Sequence, residues 1–433
     1  MDLFGHCISY VTDPELQARR FLMDAMIRVE GFAGLHGATR GRKPWPVRIM
    51  VRALYVQKEE GWSHRAMERQ LKDNRRVRYL VGLPLDGPSP SRSALLDFRQ
   101  RLLQAEQHLL AFQQQQEFLA RSGLVKQTDG TIIDSTPQDT AAAQPTVVGL
   151  LQQGMRRVFL AWRGDDPVAA VAAAERLHLE AWLAKRFNRC CCGLRSRQGR
   201  RLWERDYRKA EKLLQTLPAE VHGRLQAARD LLQRVMAERG PDGTLTPPDR
   251  ITNAMDPDAR FGCKGEGSHR RTWQGYKVTI VTHMPTDLIL SLDVMPAQHV
   301  DGDALLRAVD AMQPLYGRLP DMDADGAYTD EARRWHMSGR GICITGPRRT
   351  AKRPGPAPGG GRVATKADRG RRSRIEHVHA HLTRWRHNRR CPYLGLRKAW
   401  LQSAFAVCAA NLVRLVTLWR EGRLVLSGLP TAA

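Results

Sequence analysis

Gly130-Thr131-Ile132-Ile133-Asp134-Ser135-Thr136 is a β-branched run behind a glycine, set in a chain whose apolar spacing is helical on both sides of it. With Leu124-Val125-Lys126-Gln127-Thr128 it reads as a strand pair or one bent strand, ending at Pro137. Its acid, Asp134, has two counterparts far downstream: Asp325, opening Asp325-Gly326-Ala327-Tyr328, and Glu376, closing Arg372-Ser373-Arg374-Ile375-Glu376. Chemistry on a phosphodiester calls for hard oxygen ligands around a divalent cation, and these three acids are the candidates.

The background in which they sit points the same way. The chain has 433 residues, 69 Lys and Arg against 44 Asp and Glu, and a formal charge of +25. A field of that sign favours DNA, RNA or an anionic membrane as partner. The membrane is disfavoured: the best apolar run, Trp400 to Trp419, is interrupted by Asn411 and Arg414 and reads as a buried amphipathic helix. At 42% hydrophobic the chain can pack two or three domains. The start, Met1-Asp2-Leu3-Phe4-Gly5-His6, has none of the marks of a signal peptide, so a cytoplasmic, nucleoid-associated protein with reduced thiols is expected. Cys190-Cys191-Cys192 are contiguous and the other five cysteines isolated, a pattern unlike paired zinc-ligand spacing.

Residues 1–120 read as an all-α domain, with Leu16, Phe21, Leu22, Met26 and Ile27 at helical spacing and Val47, Ile49, Met50, Leu54 and Tyr55 repeating it. Serine caps at Ser63 and Ser91 start two short helices, a corner that fits either a helix-turn-helix reader of DNA or any helical bundle; Arg and Lys density at Lys72 to Arg78 adds to the first reading. After the 121–143 strand region, residues 144–240 revert to helix as an insertion, and its Arg-rich junction is a DNA-contacting arm or a solvated face. Strand patterns return at Trp273–Thr282 and Leu288–Met295 as a hairpin; Asp301-Gly302-Asp303 caps a helix, and a long helix begins near Arg371. The core thus spans 121–143 and 241–420, with 421–433 as a tail.

With the insertion removed, the order is strand, strand, strand, helix, strand, helix, strand, helix. That is the order of an RNase H-like α/β core, in which the first and fourth strands are neighbours and the last helix packs across them. Taken singly, each acid has a plainer explanation: strand-end aspartates form turns, and Glu376 pairs with Arg372 one helical turn earlier. Asp129 and Asp323 are rivals to Asp134 and Asp325. Lys277 is either a phosphate contact or an exposed strand lysine, and His299 and Asp301 either flank the acids or, for Asp301, cap a helix.

At these residues the chain resembles the bacterial insertion-sequence transposases with a DDE active site, in particular the insertion-sequence-five group. The pieces that carry the likeness, in order, are Ser89-x-Ser91 to Phe98-Arg99-x-Arg101-Leu102, Ile133-Asp134-Ser135-Thr136, Asp256-Pro257-Asp258-Ala259-Arg260, Gly275-Tyr276-Lys277-Val278, Ala297-Gln298-His299-Val300-Asp301, Asp325-Gly326-Ala327-Tyr328, and Arg372-x-x-x-Glu376 with Asn411-Leu412. The resemblance implies metal held by Asp134, Asp325 and Glu376, two Mg²⁺ ions that Mn²⁺ can replace, and DNA contacts at Lys277, Arg372 and Arg384. It also implies cleavage at terminal inverted repeats of double-stranded DNA, strand transfer into a target, and a homodimer in the synaptic complex. Two positions depart from the pattern: Arg369 and Thr383 stand where many members carry Tyr and Lys, with Arg384 adjacent as a substitute for the lysine. A decayed or repurposed DNA-binding protein is the alternative function, and a metal-dependent nuclease of other purpose a third.

Overall fold

In the computed structural model, residues 13–32, 34–35, 43–180, 183, 192–238, 250–265, 268, 270–347 and 362–426 are described. The N-terminal stretch 1–12, Cys190 and Cys191, the Gly/Pro punctuation at 240–248 and most of the Pro/Gly/Arg-rich loop therefore lie outside the described residues.

Strand β1 (Thr131–Thr140) is the axis of the sheet. It pairs antiparallel with β3 (Arg271–His283), from Thr131 opposite His283 to Asp139 opposite Gly275. β3 pairs in turn with β4 (Ile289–Pro296) and, along its first residues, with β2 (Arg260–Lys264). On its other edge β1 runs parallel to β5 (Met322–Asp323), β5 to β6 (Ile344–Gly346), and β6 to β7 (Arg362–Val363). The order β4-β3-β1-β5-β6, with only β3 reversed, is that of an RNase H-like sheet. A short β8 (Arg390–Cys391) pairs with the far end of β1.

Two strand expectations are corrected. Residues 124–130 form no strand, and β1 does not end at Pro137 but continues to Thr140. The reason lies in the parity of the ladder. Thr131 N donates to Asp321 O and Asp139 N to Arg389 O, both 2.8 Å, so odd-numbered residues of β1 aim their N–H away from β3. Pro137 therefore places its missing donor on a stretch of edge between the β5 and β8 pairings, where no ladder bond is broken.

Among the described residues six α-helices precede β1: α1 (Pro14–Met26), α2 (Val47–Glu59), α3 (His64–Asp73), α4 (Arg75–Val81), α5 (Arg92–Gln104) and α6 (Leu110–Arg121). Ser63 Oγ accepts from Ala66 N and Ser91 Oγ from Ala94 N, so both serine caps operate as read. Their apolar faces join the sheet in one continuous core through the long C-terminal helix. That helix, α15 (Leu396–Arg420), is buried on all faces rather than amphipathic, because helices α1, α2 and α6 cover one side and β4 the other. By length and composition it could cross a membrane, but 83% of its apolar window is buried inside the protein. Asn411, the residue that interrupts the run, bonds both backbone groups of Ile289 and the side chain of Gln115. It seals the edge of β4 against the helix.

The insertion is α7 (Val147–Asp165), α8 (Pro167–Arg176), α9 (Arg197–Thr216) and α10 (Gly223–Ala237), with a core of its own around Leu151, Met155, Phe159, Trp203 and Leu232. It leaves after β1 and returns before β2. Asn253 Nδ2 donates to Ala143 O at 2.7 Å, which ties its two ends together.

The sheet then continues through α11 (Asp301–Tyr316) and α12 (Glu331–Gly339) between the later strands. In place of one long helix from Arg371 there are two short ones, α13 (Lys366–Arg372) and α14 (Arg374–Ala380), then a π-helical turn at His381–Trp385. Thr383 Oγ1 donates back to His379 O at 2.9 Å inside that turn, the kind of side-chain competition that unsettles α-helical pairing.

Gly275 shows why its motif carries glycine. Its φ is +151°, and a Cβ there would sit 2.2 Å from Gln138 O and 2.7 Å from Thr140 N across the sheet. Gly275→Ala is expected to cost about 2–4 kcal/mol from clash and strained backbone, read as a lowered midpoint of urea unfolding.

Candidate active site

Register brings the first two acids level. Thr131 is opposite Met322 and Ile132 opposite Asp323 in the parallel pair, and the same offset carried two residues further sets Asp134 beside Asp325. Asp134 is half-buried on β1, and Asp325 sits in the turn that follows β5. There Asp325 Oδ1 accepts from Ala327 N at 2.8 Å, an Asx turn that fixes the carboxyl and leaves Oδ2 to the site. This is the local job of Asp-Gly-Ala-Tyr.

Burial pushes both carboxyls above the ordinary aspartate range. For Asp134, Lys264 and Arg372 oppose the shift and Asp301 adds to it; for Asp325 the Ala327 hydrogen bond opposes it, while Asp134 and Asp301 add to it. Two neighbouring acids whose charged forms burial disfavours form a site short of positive charge. Tyr328, fully buried, is exposed to the field of the same three acids, and burial raises its phenol well above the normal value.

Asp301 is the third acid of this cluster, and it does not cap α11. The residue at the cap is Val300, which has no side-chain oxygen. Asp301 Oδ1 accepts from Ser135 Oγ at 2.8 Å and pairs with Lys277 Nζ at 2.8 Å. Lys277 also donates to His299 O and keeps only 13% of its side chain exposed, so the structure commits it to bracing Asp301 against β1.

Glu376 is placed differently. It lies on the exposed side of α14 and touches the group electrostatically through His379, one turn further on. Among the described residues no three His, Cys, Asp or Glu side chains are gathered as a metal-holding cluster, so the structure brings Asp134 and Asp325 together and leaves Glu376 at the rim. Among the described residues Arg372 makes no ion pair with Glu376; its charge acts on Asp134, Asp325 and Asp323. Arg384 is exposed on the π turn, and the side chain of Arg369 lies outside the described part.

The rival acids have other work. Asp129 Oδ2 accepts from Lys126 N and faces His283 Nε2 at 2.9 Å. Asp323 is 6% exposed on β5, 3.7 Å from Arg371.

Two further residues join the site, Lys264 and His379. Lys264, at the end of β2, bears on Asp134 and on His379. His379 is buried, its Nε2 lies 3.8 Å from Asp134 Oδ2, and among the described residues neither ring nitrogen has a hydrogen-bond partner. Burial, with Lys264 adding to it, lowers His379 to about 4, so a neutral imidazole faces Asp134 at pH 7. Its spacing of three from Glu376 on one helix was the available clue.

The donor set fits a hard divalent cation at the Asp134–Asp325 pair: carboxylate oxygens, one on β1 and one just beyond β5, in a site whose acids are destabilised as anions. An RNase H-like sheet with such a pair on its first and fourth core strands defines the class of metal-dependent enzymes that act on nucleic-acid phosphodiesters. Comparison with known families narrows the class. Residues 13–101 match a transposase domain (DUF772), and residues 246–412 match the transposase DDE domain. The chain belongs with the DDE-type transposases of insertion sequences, metal-dependent DNA phosphoryl transferases whose partner is DNA. No solved structure matches it.

Proposed function

We propose that this chain is the transposase of an element of the insertion-sequence-five group, that it binds the element's terminal inverted repeats as a homodimer, and that it cuts and joins DNA with two Mg²⁺ ions, Mn²⁺ being able to replace them. The observation that carries the reading is the parallel register of β1 on β5, together with the charge of Asp134 acting on Asp325 just beyond β5. Those two carboxylates would hold the metal, and Glu376, free at the rim, would close on it. Held by those carboxylates, such ions would supply polarisation of the scissile phosphate and activation of an oxygen nucleophile. The chain's own residues do the rest: Ser135 and Lys277 hold Asp301, and Arg372 balances the acids before metal arrives. Arg372 and Arg384 are the cations placed to meet phosphates beside the site, since Lys277 is committed to Asp301.

Residues 1–120 form the DNA-reading domain of this proposal. Arg65, Arg69 and Lys72 are exposed on α3 at spacings of four and three, one basic face, and Arg75 opens α4 after the single linking residue Asn74. The cell compartment that follows is the cytoplasm, at the nucleoid.

The test is cleavage and joining of a duplex ending in the element's own repeat, with Mg²⁺ or Mn²⁺. Asp134→Ala, Asp325→Ala and Glu376→Ala are each expected to abolish both steps. Wild-type cleavage by all three would sink the site assignment, and wild-type cleavage by Glu376→Ala alone would remove that residue from it. Salt-sensitive DNA binding without any metal-stimulated cleavage by the unmodified chain would instead identify a decayed copy.

A further inference from the structure

A second basic site lies well away from the acids. Where α2 and α3 meet the segment between the π turn and α15, a cleft of about 650 Å³ opens, the size of a ligand pocket rather than of a lone ion. Lys58, Arg99, Arg386, Arg389, Arg390 and Tyr393 are on its walls, and none of its described lining residues is acidic.

Arg99 is only 7% exposed, yet among the described residues it has neither a hydrogen bond nor an ion pair. Its guanidinium carbon lies over the Tyr393 ring, 4.2 Å from the centroid. Lys58 stands beside it, lowered to about 7 by burial with the Arg99 charge adding to the effect. A buried cation without a counterion is costly, and two together more so.

The neutral groups of the cleft are arranged as donors. The Gln57 amide donates to His64 Nδ1 at 3.1 Å, which puts the imidazole proton on Nε2, and Nε2–H donates to Tyr393 Oη at 2.7 Å. The Tyr393 hydroxyl hydrogen is then left to point elsewhere. Burial, followed by Arg99 and Lys58, lowers His64 to about 4, in keeping with that neutral tautomer.

We propose that this cleft is a DNA-backbone subsite that holds one or two phosphodiester groups remote from the bond being cut. Arg99 and Lys58 supply its charge, Tyr393 a hydroxyl donor, and Arg389 and Arg390 its exposed rim. The inference rests on the reading that Asp134 and Asp325 act on DNA. Ala141, which lines the cleft, directly follows β1, seven residues along from Asp134, and an extended strand covers roughly 22 Å over that length. At about 3.4 Å per nucleotide the contacted phosphate falls about six positions from the scissile one.

Phosphate-ethylation interference with the full-length chain on an end-labelled terminal-repeat duplex tests this. The wild type should show interference at one phosphate or an adjacent pair about six positions from the cut. Arg99→Gln should lose that signal, weaken binding on the order of tenfold, and lower the slope of log affinity against log salt by about 1. Because Arg99 is buried, the rim variant Arg389→Gln/Arg390→Gln provides the same readout without touching the core, with the same loss expected. Unchanged footprint and slope in both variants would overturn the proposal. So would stabilisation of the wild type against heat by inorganic phosphate to the same extent as by the duplex, which would mark a free-anion site. Asp134→Asn separates the two readings: it should keep the distal footprint while losing cleavage, and wild-type cleavage by Asp134→Asn with the Arg99 effect intact would defeat only the catalytic assignment.

Discussion

Asp134→Asn, and separately Asp325→Asn, will leave the metal-free protein more stable than the wild type while removing cleavage. Both carboxyls are raised above the ordinary aspartate range by burial, and Asp301 adds its charge to both. The fold therefore disfavours the charged form of both groups. An amide of the same shape relieves this, and a gain of roughly 0.5–2 kcal/mol in the absence of divalent metal is expected, the usual scale when a strained functional group is removed. The sign of the pH dependence follows. A carboxyl raised on folding contributes stability when protonated, below the unfolded aspartate range, and loses it as pH rises through the folded value. The advantage of the asparagine variants should thus be largest near neutrality and shrink as the solution is acidified. Mg²⁺ should raise the melting temperature of the wild type but not of either variant. Cleavage should fall at least on the order of 10²–10³-fold. A wild type that gains nothing from Mg²⁺, with variants no more stable than it, would contradict this account of the pair.

Asp256→Ala is expected to be the most damaging single change to the fold. Asp256 is fully buried, and its carboxylate accepts from Tyr276 Oη at 2.6 Å, from Thr140 Oγ1, and from Gly395 N at 3.0 Å. These donors come from β3, β1 and the entry to α15, so one side chain ties three parts of the core. Its neighbour Asp258 accepts from Leu396 N at 2.9 Å and caps α15. Truncation strands three buried donors, and a loss of roughly 3–5 kcal/mol is expected in urea unfolding. Asp256→Asn should cost much less, about 1–2 kcal/mol, since its remaining oxygen keeps the Tyr276 and Gly395 bonds and the Thr140 hydroxyl can turn to accept. Equal losses in the two variants would show that shape, not hydrogen bonding, is what Asp256 provides.

The course of the chain was legible where periodicity and punctuation agree. The β-branched run ending at Asp134, the hairpin of β3 and β4, the helical insertion and the serine caps all follow from local residue type, and the order of elements gives the neighbouring strands of Asp134 and Asp325. What escaped is tertiary. Asp301 looks like a cap from its Asp-Gly-Asp context, and only the approach of Ser135 and Lys277 from the sheet reveals its work. Lys264 and His379 reach the site from elements with no common local pattern. Pro137 reads as a strand stop because the direction of its nitrogen depends on which edge of β1 is paired. α15 reads as amphipathic because Asn411 and Arg414 are polar, whereas Asn411 is inside, bonded to β4, and Arg414 donates to Thr286 O. Sequence order names Glu376 beside the two aspartates, and it stands on the exposed side of its helix at the rim of their group.

The insertion between β1 and β2 has a consequence for how the protein is made. β1 leaves the ribosome long before β3, its antiparallel partner, and pairing Thr131 with His283 across an open coil would be slow. Closing a flexible connection of about a hundred residues carries about 4 kcal/mol of chain entropy. Helices α7 to α10 have their own core, and Asn253 clasps Ala143 where they begin and end. Once folded, they turn that long tether into a short rigid bridge that delivers β2 and β3 to a waiting β1. Loosening Trp203 or Phe159 should therefore slow refolding of the sheet while the acids themselves remain untouched.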